Sequence, residues 1–122
     1  MESRKLALKV ANIAKAKKAE DPLILDMRKV SSFCDYFVIL SGDSLRHTKA
    51  LADAIEKELE KDNIKPLASP PKGETPWVAL DYTDIVVHIF HKPVRQYYSL
   101  ERLWQDAPHV RILKKKNERK KT

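Results

Sequence analysis

The stretch from Trp77 to Phe90 constrains the fold of this 122-residue chain more than any other part. Two short runs rich in apolar residues, 77–80 and 85–90, flank the polar tetrapeptide Asp-Tyr-Thr-Asp. Acidic side chains favour such turns because they hydrogen-bond nearby backbone N–H groups, so the pattern predicts a β-hairpin. The second run is largely apolar on both alternating faces, which is typical of a central strand covered on both sides.

Helical and strand patterns alternate in the rest of the chain. Apolar spacing predicts helices over residues 3–19, ended by Pro22, and over 45–62, with Ser44 as N-cap. Short apolar runs predict strands at 23–27 and 35–40, with 65–68 as a candidate edge strand. Pro93 is expected to open a last helix that kinks near Ser99 and buries Trp104. This order predicts an α/β fold: one mixed β-sheet flanked by helices, in a single domain over residues 1–110.

The net charge of +7 is unevenly distributed. Residues 111–122 carry seven Lys/Arg and one Glu, and residues 1–19 carry six Lys/Arg and one Glu. The body between them, with eleven Lys/Arg and fifteen Asp/Glu, has a net charge of −4. An acidic body argues against a main face that grips nucleic acid and suits a basic protein partner. The basic ends suit nearby phosphate or are solvated surface. We expect the tail 111–122 to be disordered or to become ordered only on binding.

Cellular location is constrained by what the sequence lacks. No apolar run reaches the length of a membrane span, and the charged N-terminus does not resemble a signal or transit peptide. Cys34 is the only cysteine, which excludes an intrachain disulfide and fits a reducing compartment. We therefore expect a cytoplasmic protein with no membrane partner, and Cys34 is expected to be a small core residue.

Three groups of residues invite a chemical function, and each has a structural alternative. The turn 41–44 before a helix could hold a phosphate, but it lacks a Walker loop's lysine and further glycines, so a turn with an N-cap is favoured. Asp81 and Asp84 are three residues apart in a turn, where turn stabilisation is favoured over a metal pair. His88 and His91 lack a third ligand at zinc spacing, so we expect a partly buried, hydrogen-bonded His88. No metal or cofactor is expected.

The hairpin also carries the candidate contacts for a protein partner. Trp77 begins its first strand after a proline-rich loop, and Tyr82 lies in its turn. An exposed Trp77 beside Tyr82 would anchor an interface, since Trp and Tyr dominate binding hot spots. Asp81 and Asp84 are then candidates to meet basic side chains of the partner.

Several motifs together resemble one known family. They are Asp35-Tyr36-Phe37-Val38-Ile39; Ser41-Gly42 with Ser44 and Arg46; Trp77 with Leu80-Asp81-Tyr82; the run from Asp84 to Phe90; and Arg95, Tyr98, Leu100-Glu101, Leu103-Trp104 and Asp106-Ala107-Pro108. In order and spacing they resemble the ribosomal silencing factor family, RsfS or Iojap-related, from about residue 4 to Val110. Thr83 stands where many relatives have glycine, and the lysine-rich tail is outside the family pattern.

The resemblance implies an α/β fold related to nucleotidyltransferases but without their activity. It implies binding to ribosomal protein fourteen of the large subunit, steric blocking of subunit joining, and repression of translation when nutrients are short. It also implies a homodimer in some relatives, through an overlapping surface. The candidate contacts are then Trp77, Asp81, Tyr82 and Asp84, with Arg46 and Arg95 as further candidates; internal ion pairs are the alternative for both arginines.

Two other classes of function remain to be weighed. A nucleotidyltransferase would need a Gly-Ser loop followed closely by an Asp-x-Asp or Asp-x-Glu strand that holds two metals. Here a long helix is predicted after Ser44, and no Asp-x-Asp occurs in the chain. A nucleotide-binding protein is the related alternative. An RNA-binding module acting through the basic ends would bind with a steep dependence on salt.

Overall fold

The predicted hairpin forms one edge of a five-stranded sheet. A computed structural model of the chain describes residues 2–68, 70, 72–98 and 107–112. The described helices are α1 (Ser3–Ala16), α2 (Leu45–Glu60) and α3 (Lys92–Tyr98). The strands are β1 (Glu20–Asp26), β2 (Tyr36–Gly42), β3 (Trp77–Asp81), β4 (Ile85–His91) and β5 (His109–Val110). Among these residues, no helix combines the length and apolar character needed to cross a membrane.

The sheet is mixed, as predicted, with the strand order β3-β4-β2-β1-β5. β2 and β4 run parallel, with α2 in the connection between them, while the β1–β2, β3–β4 and β1–β5 pairs are antiparallel. β4 lies between β2 and β3, and five of its seven residues are buried. The prediction of a central strand covered on both faces is therefore confirmed.

Helices α1 and α2 cover one face of the sheet. Leu6 and Val10 of α1 and Leu51 and Ile55 of α2 pack in one cluster with apolar residues from every strand. Each helix presents buried residues at spacings of three and four, so its apolar stripe meets the sheet while its charged residues stay in water. This large cluster supplies most of the burial that stabilises the fold.

The opposite face of the sheet has a smaller apolar cluster. Its buried members are Leu25, Met27, Cys34, Ile39, Phe90 and Ala107. Phe37 of β2, Val86 of β4 and Val94 of α3 pack against this cluster but are only partly buried. In the described part of the chain, this face is therefore less completely covered than the helix-bearing face.

The ends of two predicted elements differ from expectation. α1 ends at Ala16 rather than at residue 19, because Lys18 adopts a left-handed φ of 65° and the Ala19 N–H closes onto the Ala14 carbonyl at 2.9 Å. Pro22 does not end this helix. It lies inside β1, where the register with β2 shifts between Glu20 and Leu23, as expected for a proline at a bulge.

The second helix begins as predicted. The Ser44 hydroxyl accepts a 3.0 Å hydrogen bond from the His47 N–H, which confirms the N-cap. Gly42 just before it is required by close packing, because a Cβ there would lie 2.7 Å from the Thr48 hydroxyl oxygen. The junction of β2 and α2 therefore leaves no room for a side chain at position 42.

One expectation about the sheet edges was wrong, and one edge strand was not predicted. Residues 65–68 form no strand; only the Leu67 N–H reaches β3, donating to the Asp81 carbonyl at 2.8 Å. β5, which pairs with Ile24 and Leu25 of β1, was not predicted, because two residues carry too short a pattern. The predicted kink near Ser99, the position of Trp104 and most of the basic tail lie outside the described residues.

Candidate functional site

The less covered face of the sheet brings together six side chains that we call the aromatic face: Phe37, Trp77, Ala79, Asp81, Val86 and His88. Side chains alternate along a strand, so these positions of β2, β3 and β4 share one side of the sheet. Across the β3–β4 pair, Trp77 is opposite Phe90, Ala79 is opposite His88 and Asp81 is opposite Val86. The edge strand β3 therefore presents an aromatic, a small and an acidic residue in sequence on one surface.

Trp77 combines exposure with a fixed position. It is 39% exposed, which confirms the expectation that it need not be a core residue. Its ring stacks on Phe90 at a centroid distance of 5.2 Å and an interplanar angle of 22°. Its indole N–H donates a 3.2 Å hydrogen bond to Nδ1 of His88. An exposed aromatic surface that is already ordered loses little conformational entropy on binding.

His88 is buried and contacts the ring of Trp77. It is 9% exposed, and its ring meets Phe37 edge-on at 4.8 Å. Burial disfavours the charged imidazolium and lowers the pKa of His88 to about 4. The ring is therefore neutral near pH 7 and can accept the hydrogen bond from Trp77. The prediction of a partly buried, hydrogen-bonded histidine is confirmed.

The hairpin turn is held by Asp81 and joined to β2. The Asp81 carboxylate accepts a 2.8 Å hydrogen bond from the Thr83 N–H, in the turn-stabilising role expected of it. Thr83 has a φ of 72°, a left-handed conformation at which glycine is favoured. The Asp84 carbonyl accepts the Asp35 N–H at 2.7 Å. Asp81 and Asp84 are both exposed, so their charges are available at the surface.

The apolar and acidic parts of the candidate site lie at opposite ends of β3. Trp77 and Asp81 are the first and last residues of this strand and point to the same side. Four residue steps in a strand span about 13 Å. A partner that touches both residues must therefore cover an extended surface rather than insert into one pocket.

The structure corrects the expectation for Tyr82. Its ring is 6% exposed and packs in the cluster between the sheet and the helices, so it is not a surface contact beside Trp77. The residue follows Asp81 in the hairpin, and strand alternation turns its side chain away from the aromatic face. Burial raises the pKa of Tyr82 to about 12, with a smaller contribution from the nearby Glu56.

Arg95 is also a buried residue rather than an exposed contact. It is 8% exposed, and its guanidinium donates hydrogen bonds to the Asp21 carbonyl and, at 2.9 Å, to the Ser41 hydroxyl. These bonds join α3 to β1 and β2. The role is internal, as in the alternative weighed above, but these two bonds are to a carbonyl and a hydroxyl and are not ion pairs. Arg46 differs, since it lies exposed on the first turn of α2, and a contact with a partner stays a prediction.

The Ser41–Ser44 turn is occupied by its own side chains. Besides the Ser44 cap, Nδ1 of His47 accepts a 3.0 Å hydrogen bond from the Asp43 N–H. The N–H groups of Asp43 and His47 are thus already satisfied within the turn, as the favoured interpretation of a turn with an N-cap requires. The described residues include no group of three or more His, Cys, Asp or Glu side chains that could hold a metal ion.

Cys34 packs in the smaller cluster, as expected for a core cysteine. It is 7% exposed. Burial, with smaller contributions from Asp35 and Asp81, raises the pKa of its thiol to about 11. The thiolate, which is the reactive form, is therefore rare at neutral pH.

One candidate contact was not predicted from the residue types alone. Phe33 is 91% exposed, the largest exposed fraction among the large apolar side chains that the structure describes. It lies in the connection to β2, beside Asp35, whose N–H bonds to the hairpin turn at Asp84. The polar neighbours Ser31 and Ser32 were the available signal, because an isolated aromatic in a polar connection has little chance of burial.

Fold and site together define a single-domain α/β protein with a mixed sheet and a partly exposed aromatic face. The family model for "Ribosomal silencing factor during starvation" matches residues 1–122. The chain belongs to this family, the ribosomal silencing factors, as the motif resemblance predicted.

Individual relatives agree with this assignment. Ribosomal silencing factor RsfS of Bacillus subtilis is 42% identical over 107 residues, covering 87% of this chain and 91% of the relative. RsfS of Halalkalibacterium halodurans is 36% identical over 112 residues, covering 92% and 96%. A crystal structure of a Chromobacterium violaceum protein matches with a TM-score of 0.79 at 31% identity, covering 86% of this chain and 88% of that one. The similar fold confirms the α/β class.

Proposed function

We propose that this protein binds the large ribosomal subunit through ribosomal protein fourteen and blocks joining of the small subunit. Translation is thereby repressed when nutrients are limiting. Membership of the silencing factor family supports a role at the ribosome. Our proposal adds the specific partner and the steric mechanism. We assign the contact with that partner to the aromatic face.

The observation that carries this proposal is the exposed and ordered indole of Trp77. Large aromatic anchors at the centre of an interface contribute more binding energy than most other contacts. Trp77 lies on an edge strand, stacked on Phe90 and bonded to His88, so its exposed surface is presented in one orientation. A residue with no role in binding would more commonly turn such a ring inward, where burial stabilises the fold.

Charge supports a basic protein as the partner. Asp81 and Asp84 are exposed at the far end of the hairpin, and residues 20–110 carry a net charge of −4. Acidic groups at the rim of an interface increase the rate of encounter with a basic surface and help to select it. We assign Trp77 the apolar contact and the two aspartates the charged contacts.

The basic N-terminal region offers a further contact on the ribosome. Arg4, Lys5, Lys17 and Lys18 are exposed on or just after α1. We propose that they approach ribosomal RNA, which would make part of the affinity depend on salt. The protein would act in the cytoplasm. A homodimer using an overlapping surface stays a prediction, to be tested by analytical ultracentrifugation of the free protein.

We propose no enzymatic activity for this chain. The family is named for silencing rather than for a catalysed reaction. In the turn before α2, where a nucleotidyltransferase would bind phosphate, the N–H groups of Asp43 and His47 already donate hydrogen bonds to the side chains of His47 and Ser44. Metal-dependent binding of a nucleoside triphosphate by the purified protein would contradict this proposal.

The direct test is co-sedimentation with separated large and small ribosomal subunits, followed by a subunit-joining assay. We expect binding to the large subunit alone and loss of joined ribosomes. Trp77→Ala should fold, yet bind the large subunit at least about tenfold more weakly, as expected for an interface hot spot. Crosslinking followed by mass spectrometry should place ribosomal protein fourteen beside residues 77–84.

Leu45 provides a matched control for the Trp77 substitution. It is 37% exposed, close to the value for Trp77, but it lies on α2 rather than on the aromatic face. Leu45→Ala should leave subunit binding unchanged. Equal affinities for wild type, Trp77→Ala and Leu45→Ala would show that the aromatic face is not the ribosomal contact.

A further inference from the structure

His88 lies at the centre of an aromatic group but is itself polar. Its ring centroid is 5.9 Å from that of Trp77, 4.8 Å from that of Phe37 and 6.3 Å from that of Phe90. On β4 it is opposite Ala79 of the edge strand. An apolar side chain of similar size would suit these surroundings, so the choice of a histidine calls for an explanation.

The two ring nitrogens of His88 have different environments. Nδ1 accepts the hydrogen bond from the Trp77 indole, which requires a lone pair on Nδ1 and places the proton of the neutral ring on Nε2. Nε2 is buried and has no hydrogen-bond partner in the part of the chain that the structure describes. A buried donor without a partner is destabilising. Within the described residues, the histidine therefore uses one nitrogen to hold Trp77, while the other is a buried donor without a partner.

We propose that His88 is a positioning residue that fixes the orientation of the exposed indole of Trp77, and that a polar ring is kept at this buried position for this purpose. Stacking on Phe90 restrains the plane of the Trp77 ring but not its rotation within that plane. The hydrogen bond to Nδ1 restrains this rotation, because it fixes the direction of the indole N–H. This inference rests on the proposed function for its consequence in binding, but the positioning itself can be measured on the free protein.

Two substitutions of His88 distinguish a role in positioning the Trp77 indole from a role in packing alone. In His88→Asn, the side-chain oxygen can occupy the place of Nδ1 and still accept a hydrogen bond. His88→Leu fills a similar volume and removes both the Nδ1 acceptor and the buried Nε2 donor. We expect the Leu variant to unfold at a temperature equal to or higher than that of the wild type, which a purely structural role for His88 would not produce.

Nuclear magnetic resonance of the isotope-labelled full chain gives the direct readout. The chain has two tryptophans, so the indole N–H signal of Trp77 is identified by its loss in Trp77→Ala. In the wild type we expect that signal to exchange slowly with solvent, and the His88 nitrogen shifts to show the neutral tautomer protonated at Nε2. Exchange should be fast in His88→Leu and slow again in His88→Asn.

Affinity for the large ribosomal subunit measures how the orientation of Trp77 affects binding. We expect His88→Leu to bind about tenfold more weakly, through the lost preorganisation, and His88→Asn to recover most of the affinity. An indole N–H that exchanges equally fast in the wild type and His88→Leu would overturn the positioning role. If the exchange results hold while Trp77→Ala binds like the wild type, positioning stands and the assignment of Trp77 to the ribosomal contact fails.

Discussion

The indole N–H of Trp77 donates a hydrogen bond of 3.2 Å to Nδ1 of His88, across the β3–β4 pair. The bond joins the most exposed aromatic of the sheet face to a histidine that is almost fully buried. Because the acceptor must be a neutral imidazole, the order of the candidate docking surface depends on the protonation state of a group that solvent barely reaches.

Acid is expected to destabilise the fold through His88. Burial lowers the pKa of His88 from 6.5 to about 4 in the folded protein. The unfolded chain then binds more protons than the folded one between these values, so the contribution to stability is complete above about pH 6.5 and is lost as the pH falls towards 4. Urea unfolding at several pH values measures the effect, which cannot exceed about 1.4 kcal/mol for each pH unit.

The variant His88→Leu isolates this contribution from that of the carboxylates. Asp26, for example, has its pKa lowered mainly by the Arg28 hydrogen bond, and it also loses stabilisation in acid. The Leu variant retains the carboxylates and lacks the imidazole. The stability of the wild type relative to this variant should therefore fall as the pH decreases from 6.5 to 4, and parallel pH profiles would contradict the prediction.

Phe33→Ala should weaken ribosome binding without affecting the fold. The side chain is 91% exposed, so its removal should change the free energy of unfolding by less than about 0.5 kcal/mol. The residue is two positions before Asp35, whose N–H bonds to the Asp84 carbonyl at the acidic end of the candidate surface. We expect about a threefold loss of affinity for the large subunit, as for a peripheral apolar contact. An affinity identical to that of Leu45→Ala would place Phe33 outside the interface.

Tyr82→Phe should be tolerated in both stability and binding. The hydroxyl of Tyr82 is buried and has no hydrogen-bond partner among the described residues. Its removal should therefore leave stability unchanged or raise it by up to about 1 kcal/mol. Thermal unfolding and co-sedimentation with the large subunit measure the two properties. A marked loss of subunit binding with an unchanged fold would restore Tyr82 as a contact residue.

Thr83→Gly should stabilise the hairpin. Thr83 has a φ of 72°, and a left-handed conformation costs a residue with a Cβ about 1–2 kcal/mol. Glycine removes that cost but loses about 0.5–1 kcal/mol through its greater freedom in the unfolded chain. We expect a net gain of about 0.5–1 kcal/mol in urea unfolding, by the difference of these terms. A lower unfolding midpoint would mean that the Thr83 side chain makes a stabilising contact in the turn.

The local pattern of the sequence was sufficient for the main elements. Alternation in residues 85–90 predicted β4. The spacing in residues 45–62 predicted α2, which ends two residues earlier at Glu60, and Ser44 was correctly assigned as its cap. These features depend on neighbours within a few residues, where side-chain periodicity and backbone hydrogen bonds are set locally. The order and spacing of the motifs also sufficed to predict the family.

Side-chain exposure in the candidate site was decided by tertiary structure. Trp77 and Tyr82 were predicted as neighbouring surface aromatics, yet one is exposed on the sheet face and the other is buried beneath the helices. Which face of the hairpin is covered depends on where α1 and α2 pack, and that information is spread over the whole chain. The partnership of Arg95 with residues of β1 and β2 is likewise non-local.

The sequence by itself determined the α/β class, the hairpin, the capped helix and the family, because periodicity, turn chemistry and motif spacing are properties of the chain read in order. Only the tertiary structure decided the pairing of Trp77 with His88, the burial of Tyr82 and the exposure of Phe33. The physical reason is that burial and orientation follow from which strands and helices become neighbours in space, and residues far apart in the sequence jointly fix that arrangement.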